Sequence, residues 1–324
     1  MVLVLADDEV ASLVDLPSLA PVVADALVQQ GRGEVERPER PHYDVGAGID
    51  GSEPLGMGLA MPAYVHGEPY FATKLVGVHE GNAERGLPTI HAQVVLADAR
   101  TGQPVSFMNG GRITNARTGC IGGLAARDLA VSEPLHVGVL GAGTQARWQT
   151  RAIAALCDVE SASIYSPSDS RDDCAADLRE HDVPAEAVDS AAAAVEDSNV
   201  VVTATTSTEP VFPADALAPG ALVVAVGAYT VEMQELEAAV FDRAARVFAD
   251  VPAEVAEIGD LLATDLTVED LIPLSAVFEG EAGRESDEEI LVVESVGTAV
   301  LDVAAAAEVY ESAAESGIGT EQSF

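Results

Sequence analysis

The sequence predicts an α/β protein in which a Rossmann-type parallel-sheet domain is inserted into an α+β domain built from both ends of the chain. Three observations predict it. The middle of the chain alternates short apolar strands with helical stretches, which argues a parallel sheet with right-handed crossovers. The strand at 136–141 runs directly into Gly141-Ala142-Gly143-Thr144-Gln145-Ala146, a G-x-G-x-x-A turn that opens a helix. The flanks differ: residues 59–113 carry short strands punctuated by Gly and Pro, and both ends of the chain are helical. A length of 324 residues suits two domains. The expected boundaries are 1–120 plus 298–324 for the outer domain and 121–297 for the inserted one.

Taken in order, the first element is a helix over 18–30. Strands follow at 74–78, 89–97 and 104–108, whose Gly and Pro punctuation suggests a mixed or antiparallel sheet. After the apolar strand at 136–141, residues 144–156 repeat at helical spacing. A second strand and helix are expected at 159–165 and 170–180. An Ala-rich helix near 190–196 precedes a buried-type strand at 199–204, with further strands at 221–227 and 246–249. The acidic stretch 279–289 reads as a solvated loop, and a helix over 296–314 closes the chain.

Composition narrows the function. The chain holds 54 Asp plus Glu against 16 Lys plus Arg, for a net charge of -38. Nucleic acid and anionic membrane both attract basic surfaces, so neither is an expected partner. Strong acidity can signal disorder, but 48% hydrophobic residues supply a large core. The lysine-poor, acidic, Ala- and Val-rich character resembles proteins of salt-in halophiles, in which molar salt screens self-repulsion over about 3 Å. Cys120, Cys157 and Cys174 are too scattered for a disulfide framework or a metal site, which favours a reducing cytoplasm. No basic leader opens the chain, and no apolar run reaches the roughly 18 residues needed to span a bilayer.

One lysine remains among 15 arginines: Lys74, in Tyr70-Phe71-Ala72-Thr73-Lys74-Leu75. Chance retention is the bland explanation. The sharper one is that position 74 requires a primary ammonium, a compact charge that can lose its proton when desolvated as arginine cannot. Arg117, in Thr114-Asn115-Ala116-Arg117-Thr118, offers a planar fork for a carboxylate and would face an interdomain cleft, unless it serves a structural ion pair. Arg40 is a weaker second clamp. Cys120 reads as a small buried residue rather than a nucleophile. The histidines show no ligand spacing, and no metal is expected.

The glycine turn points to a dinucleotide. Gly141 makes the turn, Gly143 lets the backbone approach a pyrophosphate, and Ala146 allows close helix packing, while the N–H groups at Thr144 and Gln145 open the helix. Cofactor choice is read at the tip of the second strand. There Tyr165-Ser166-Pro167-Ser168 offers no carboxylate, and Ser166, Ser168 and Arg171 could hold a 2′-phosphate. That leans the choice to NADP; Asp169 swinging in would favour NAD.

These residues carry a resemblance. Met61-Pro62-Ala63-Tyr64, Lys74, Leu87-Pro88-Thr89, Thr114-x-x-Arg117-Thr118, the glycine turn, Thr203-Ala204-Thr205, Val226-Gly227-Ala228, Glu235-Leu236 and Ser295-Val296-Gly297 resemble the ornithine cyclodeaminase/mu-crystallin family from about residue 35 to 320. The resemblance implies a homodimer with a substrate and dimerisation domain plus a Rossmann domain. It implies that Lys74 and Arg117 contact a small amino, imino or keto acid, with Arg40 and Gly297 helping. It places Thr89 by the nicotinamide, and Thr118, Thr205, Thr206 and Val226 at the cofactor.

One departure bears on the chemistry. Cyclodeaminases and the archaeal alanine dehydrogenases of the family place an aspartate where this chain has Tyr229, two residues after Gly227, unless Asp250 or Glu232 reaches the same amine. Ketimine reductases also lack that aspartate. Tyr229 therefore joins Lys74 and Arg117 as an expected catalytic position, and the expected activity is NAD(P)H-dependent reduction of small α-imino or α-keto acids. Conversion of ornithine to proline and ammonia with catalytic NAD, or ligand binding without turnover as in mu-crystallin, are the alternatives.

Overall fold

The computed structural model describes residues 1–132 and 134–323, with Ala83 described through its backbone only. The chain divides into two compact units. The first comprises residues 1–15, 32–117 and 299–324; the second comprises 16–31 and 118–298.

The first unit is built on a mixed sheet. Its strands are β1 (Val2–Leu5), β2 (Val35–Glu36), β3 (His42–Val45), β4 (Gly56–Val65), β5 (Tyr70–Val78), β6 (Ile90–Asp98), β7 (Pro104–Asn109) and the last strand of the chain, β16 (Thr320–Gln322). The order across the sheet is β16-β1-β7-β6-β5-β4-β2, with β3 also paired to β4. The β4 to β7 run is antiparallel, while β1 lies parallel to β7 and antiparallel to β16. Helix α1 (Asp7–Leu13) follows β1, and α11 (Ala299–Ser316) lies over β4, β5 and β6. Alternation decides which side chains meet that helix. On β5, Ala72 and Lys74 point to the buried face. The cross-strand row through Lys74 runs Met61, Lys74, Val94, Met108, so the lysine stands where the pattern elsewhere puts an apolar residue.

The second unit is an eight-stranded parallel sheet. Its strands are β8 (Leu135–Leu140), β9 (Val159–Tyr165), β10 (Ala185–Ala187), β11 (Val200–Thr203), β12 (Leu222–Ala225), β13 (Ala244–Ala249), β14 (Leu271–Pro273) and β15 (Ile290–Glu294), in the order β10-β9-β8-β11-β12-β15-β13-β14. Strands β8, β11, β12 and β15 are nearly continuous Val, Leu and Ile, as expected of strands covered on both faces. The order reverses between β9 and β11, at β8, which makes the carboxyl end of β8 a topological switch point. Helices α2 (Leu16–Gly31), α4 (Thr144–Leu156), α5 (Ser170–Glu180), α6 (Ala191–Val195), α7 (Ala238–Arg243), α8 (Pro252–Val255), α9 (Gly259–Leu262) and α10 (Ser275–Phe278) belong to this unit.

The unit boundary falls inside a single helix, α3 (Gly110–Leu129). The strands and helices expected from the sequence appear in order, but the chain carries more. It also has β1, α1, β2, β3 and β4 before Tyr70, helix α3, strands β10, β14 and β15, the short helices α7 to α10, and β16, so it opens and closes on strands. Residues 16–31, expected in the outer domain, belong to the second unit. The closing helix begins at Ala299 rather than at 296, because Asp250 takes the Val296 and Gly297 N–H groups and Gly297 adopts a positive φ of 73°. The loop 279–289 is largely exposed but anchored: Arg284 donates to the carbonyls of Leu129, Gly220 and Glu289, and Glu289 pairs with Arg246. Among the described residues no single helix is long and apolar enough to cross a membrane.

Candidate active site

Two sets of expected residues are brought together, one in each unit. In the first unit, Lys74 on β5 and Arg117 on α3 converge on Asp302, in the first turn of α11. Lys74 Nζ lies 2.6 Å from Asp302 Oδ2, and Arg117 Nε lies 3.1 Å from Asp302 Oδ1. Thr114, one turn before Arg117 on the same face of α3, accepts from Lys74 at 3.2 Å and donates to Asp302 Oδ1 at 3.1 Å. Lys74 and Arg117 are each 4% exposed and Asp302 is 1% exposed, so water screens little of this network.

Burial and charge set the protonation of these groups. Burial lowers the Lys74 pKa, Asp302 pulls it back up, Arg117 and Arg40 push it down again, and the outcome is about 8. For Asp302, burial pushes upward, but Arg117 and Lys74 outweigh it and hold the carboxyl below its ordinary range. Arg40 is half-buried and acts on Lys74 through its charge. Thr89 is exposed just before β6.

In the second unit the glycine turn has the expected form. Gly141 has a φ of 114°, and a Cβ there would run into the Ala204 carbonyl oxygen. Gly143 faces open space and caps α4 with no side chain, which leaves the first N–H groups of that helix to a ligand. Ala146 is fully buried, Gln145 half-buried and Thr144 exposed. Arg147, which the motif does not mark, braces the turn by donating to the carbonyls of Ala142 and Gly143 while its Nε pairs with Asp177 at 3.1 Å. This cradle fits a dinucleotide pyrophosphate.

At the tip of β9 three hydroxyls cluster: Ser168 and Ser170 at 2.7 Å, Ser166 and Ser170 at 3.3 Å, and Ser166 and Ser168 at 3.5 Å. Arg171 donates to the Ser166 carbonyl at 3.3 Å and to Asp189 at 3.2 Å.

Thr205 and Val226 stand at the carboxyl ends of β11 and β12, where Glu235 ties the two loops together. Its carboxylate accepts from the Thr203 hydroxyl at 2.9 Å, the Thr205 N–H at 2.6 Å and the Gly227 N–H at 2.8 Å. Thr206 is exposed, Thr118 is buried, and Tyr229 is 57% exposed on the loop after β12. Asp250 has both oxygens engaged, by Ser295, Val296 and Gly297. Glu232 is exposed. Cys120 is buried, and burial pushes its thiol up to about 12. Asp302, Arg147 and Ser170 are the residues that sequence reasoning missed. The one available signal for Asp302 was an acid inside the apolar run Ala299-Val300-Leu301-Asp302-Val303.

The sequence profile of the ornithine cyclodeaminase/mu-crystallin family matches residues 1–317. The chain belongs to that family. Within the family, it is 33% identical over 279 residues to the Delta(1)-pyrroline-2-carboxylate reductase of Bacillus cereus, covering 82% of this chain and 84% of that one. Its structure resembles that of Thermococcus litoralis Delta(1)-pyrroline-2-carboxylate reductase in complex with NADH and L-proline, with a TM-score of 0.90, 28% identity, and coverage of 99% of this chain and 100% of that one. It also resembles an archaeal alanine dehydrogenase dimer with bound NAD, with a TM-score of 0.89, 29% identity, and coverage of 100% and 99%.

Proposed function

We propose that this ornithine cyclodeaminase/mu-crystallin family member is an NAD(P)H-dependent reductase of small α-imino and α-keto acids, with a cyclic ketimine such as pyrroline-2-carboxylate as the preferred class. The observation that carries the reading is the buried Lys74–Asp302–Arg117 network, which places a primary ammonium of lowered proton affinity beside a guanidinium in the one position of the chain that kept a lysine. The two reductase relatives and the alanine dehydrogenase act on small acids of this kind, as their names state. In this reading the outer unit, residues 1–15, 32–117 and 299–324, binds substrate and forms the dimer, and the second unit, residues 16–31 and 118–298, binds the dinucleotide.

The nicotinamide, when bound, supplies the hydride. The chain's own residues do the rest. Arg117, helped by Arg40, holds the substrate carboxylate, which converts an encounter into an oriented pair. Lys74 Nζ holds a proton next to the C=N or C=O group and stabilises the charge that develops as the bond is reduced. Reduction of a neutral imine adds a hydride at carbon and a proton at nitrogen, and Lys74 is the group whose proton affinity suits the second role near pH 8. The Gly141–Ala146 turn holds the pyrophosphate. Thr89, Thr118, Thr205, Thr206 and Val226 complete the cofactor contacts, and Gly297 those of the substrate.

The finer assignments rest on particular features. The serine cluster of Ser166, Ser168 and Ser170 with Arg171 supports NADP over NAD. Tyr229 in place of a carboxylate supports reduction over ornithine cyclisation, and the commitment of both Asp250 oxygens to backbone and Ser295 supports the same choice. Apolar side chains exposed on the outer unit, among them Tyr43, Ile49, Phe71, Leu75 and Ile90, support a homodimer. The acidic, lysine-poor composition supports a salt-adapted cytoplasmic enzyme.

The deciding experiment follows NADH and NADPH absorbance in molar KCl with pyrroline-2-carboxylate, piperideine-2-carboxylate, pyruvate plus ammonia, and ornithine with catalytic NAD. Reduction of at least one imino or keto acid is expected, fastest with NADPH. Steady release of proline and ammonia from ornithine, with no reduction of imines, returns the function to cyclodeaminase.

A further inference from the structure

We infer that Asp302 is a positioning residue of this site. It fixes Arg117 by its Nε, which leaves the terminal fork of the guanidinium to a substrate carboxylate, and it keeps the Lys74 ammonium charged in an apolar setting. The kinetic side of this inference rests on the reductase reading; the protonation side does not.

Each half has its geometry. Asp302 presents its two oxygens to two different cations, Oδ1 to Arg117 Nε at 3.1 Å and Oδ2 to Lys74 Nζ at 2.6 Å. A carboxylate that gripped Arg117 through the fork would occupy Nη1 and Nη2, the pair best matched to a ligand carboxylate. Asp302 uses Nε instead, so Nη1 and Nη2 stay outside the ion pair. Thr114 bridges the same atoms, accepting from Lys74 and donating to Oδ1, and so fixes which oxygen serves which cation.

The charges acting on Lys74 are few. Its neighbours in register on β4 and β6 are Met61 and Val94, which carry none. Helix α3 contributes Arg117, the segment before β3 contributes Arg40, and α11 contributes Asp302. Burial and both arginines drive the proton off Lys74, while Asp302 holds it on by charge and hydrogen bonding and Thr114 accepts a further hydrogen bond from the ammonium. The position of Asp302 in the first turn of α11 suits a carboxylate that must stay ionised while buried.

Because Lys74 is the only lysine, biosynthetic labelling with 15Nζ-lysine gives one ammonium resonance, and its pH titration reads this residue directly. The experiment uses the full chain in 2 M KCl, as wild type and as Asp302→Asn, a variant of nearly the same shape that removes the charge. The expected result is a fall in the Lys74 midpoint by at least one pH unit, a tenfold loss of proton affinity. The alkaline limb of the kcat/KM profile should move acidward by the same amount, so that part of the lost activity returns at lower pH. An unchanged Lys74 midpoint overturns the inference, as does a loss of activity that is uniform across pH. The titration needs no substrate, so failure of the reductase reading leaves this arm intact.

Should Asp302→Asn not fold, Asp302→Glu keeps the charge on a longer arm. Lys74 is then expected to titrate within half a unit of wild type, while displacement of Arg117 raises KM at least fivefold and leaves kcat within threefold. A Glu variant with wild-type KM and a Lys74 midpoint lowered by a unit overturns the inference.

Discussion

A lysine on the buried face of a strand is a thermodynamic liability. The proton affinity of Lys74 falls from the ordinary 10.5 to about 8, first because of burial. A base whose folded pKa lies below its unfolded value opposes folding at low pH, and the cost fades as pH rises from about 8 to 10.5. Lys74 therefore does not stabilise the fold at neutral pH, which fits a residue kept for chemistry. Lys74→Arg should keep a charge but lose at least about tenfold in kcat/KM, roughly 1.4 kcal/mol of transition-state stabilisation. The wild-type profile should fall above pH 8 as the ammonium is lost, and that limb should be missing from the arginine variant. Steady-state kinetics between pH 6 and 10 checks both. At Tyr229, the Tyr229→Asp variant should gain ornithine turnover, measured as proline and ammonia, if this position sets the reaction type. At this scale the cations were legible and their counter-ion was not. Lys74 stands out because lysine is otherwise absent, and Arg117 because of its small, polar neighbours. Asp302 is one of 54 acids, and its importance comes from a tertiary approach of α11 to β5 that no local pattern records.

Among elements, the β8–α4 turn is the most constrained. Gly141→Ala should both strain a backbone with φ near 114° and drive a methyl into the Ala204 carbonyl. Binding of the dinucleotide, followed by quenching of Trp148 fluorescence or by calorimetry, should weaken at least about tenfold, with a stability loss of about 1–3 kcal/mol. Near wild-type affinity would mean that the turn does not cradle the ligand. Strands β8, β9, β11, β12 and β13 and helices α4 to α6 were legible from apolar strand runs and helical spacing; β15, beside the acidic stretch, and the short β10, β14 and α7 to α10 were not. Nor was helix α3: Gly119, Gly122 and Gly123 dilute any helical signal. Their reason is tertiary, since a Cβ at these positions would strike Trp148, Gln149 or Ala152 of α4. The pairing of β1 with β16 joins opposite ends of the chain and leaves no local trace either.

For the whole molecule, charge sets the conditions of stability. A net -38 should make the compact state depend on salt, and thermal midpoints should rise steeply between about 0.1 and 2 M KCl as repulsion is screened. A flat response would remove the salt-adapted reading and leave the enzyme assignment standing. Buried acids add a pH dependence of their own. Burial pushes Asp260 up to about 7 against two backbone N–H donors, and pushes Glu294 well above the ordinary range, with Asp260, Glu235 and Asp250 adding to it. Acids with raised folded pKa values stabilise below their unfolded pKa, and that contribution is lost as pH rises through the folded value. At fixed 2 M KCl the thermal midpoint should therefore be higher at pH 5 than at pH 8, and Asp260→Asn should flatten the slope.

The path of the chain gives the candidate site a place in time. Arg117 and Asp302 are 185 residues apart, and nearly all of the intervening chain folds into the other unit. A ribosome releases Lys74 and Arg117 long before Asp302. A nascent chain thus carries the two cations through the synthesis of residues 118–298 before their shared carboxylate emerges. The parallel sheet, whose strands are all complete by residue 294, can close first. A chain stopped before α11 therefore holds every strand of the parallel sheet but lacks the carboxylate on which Lys74 and Arg117 converge.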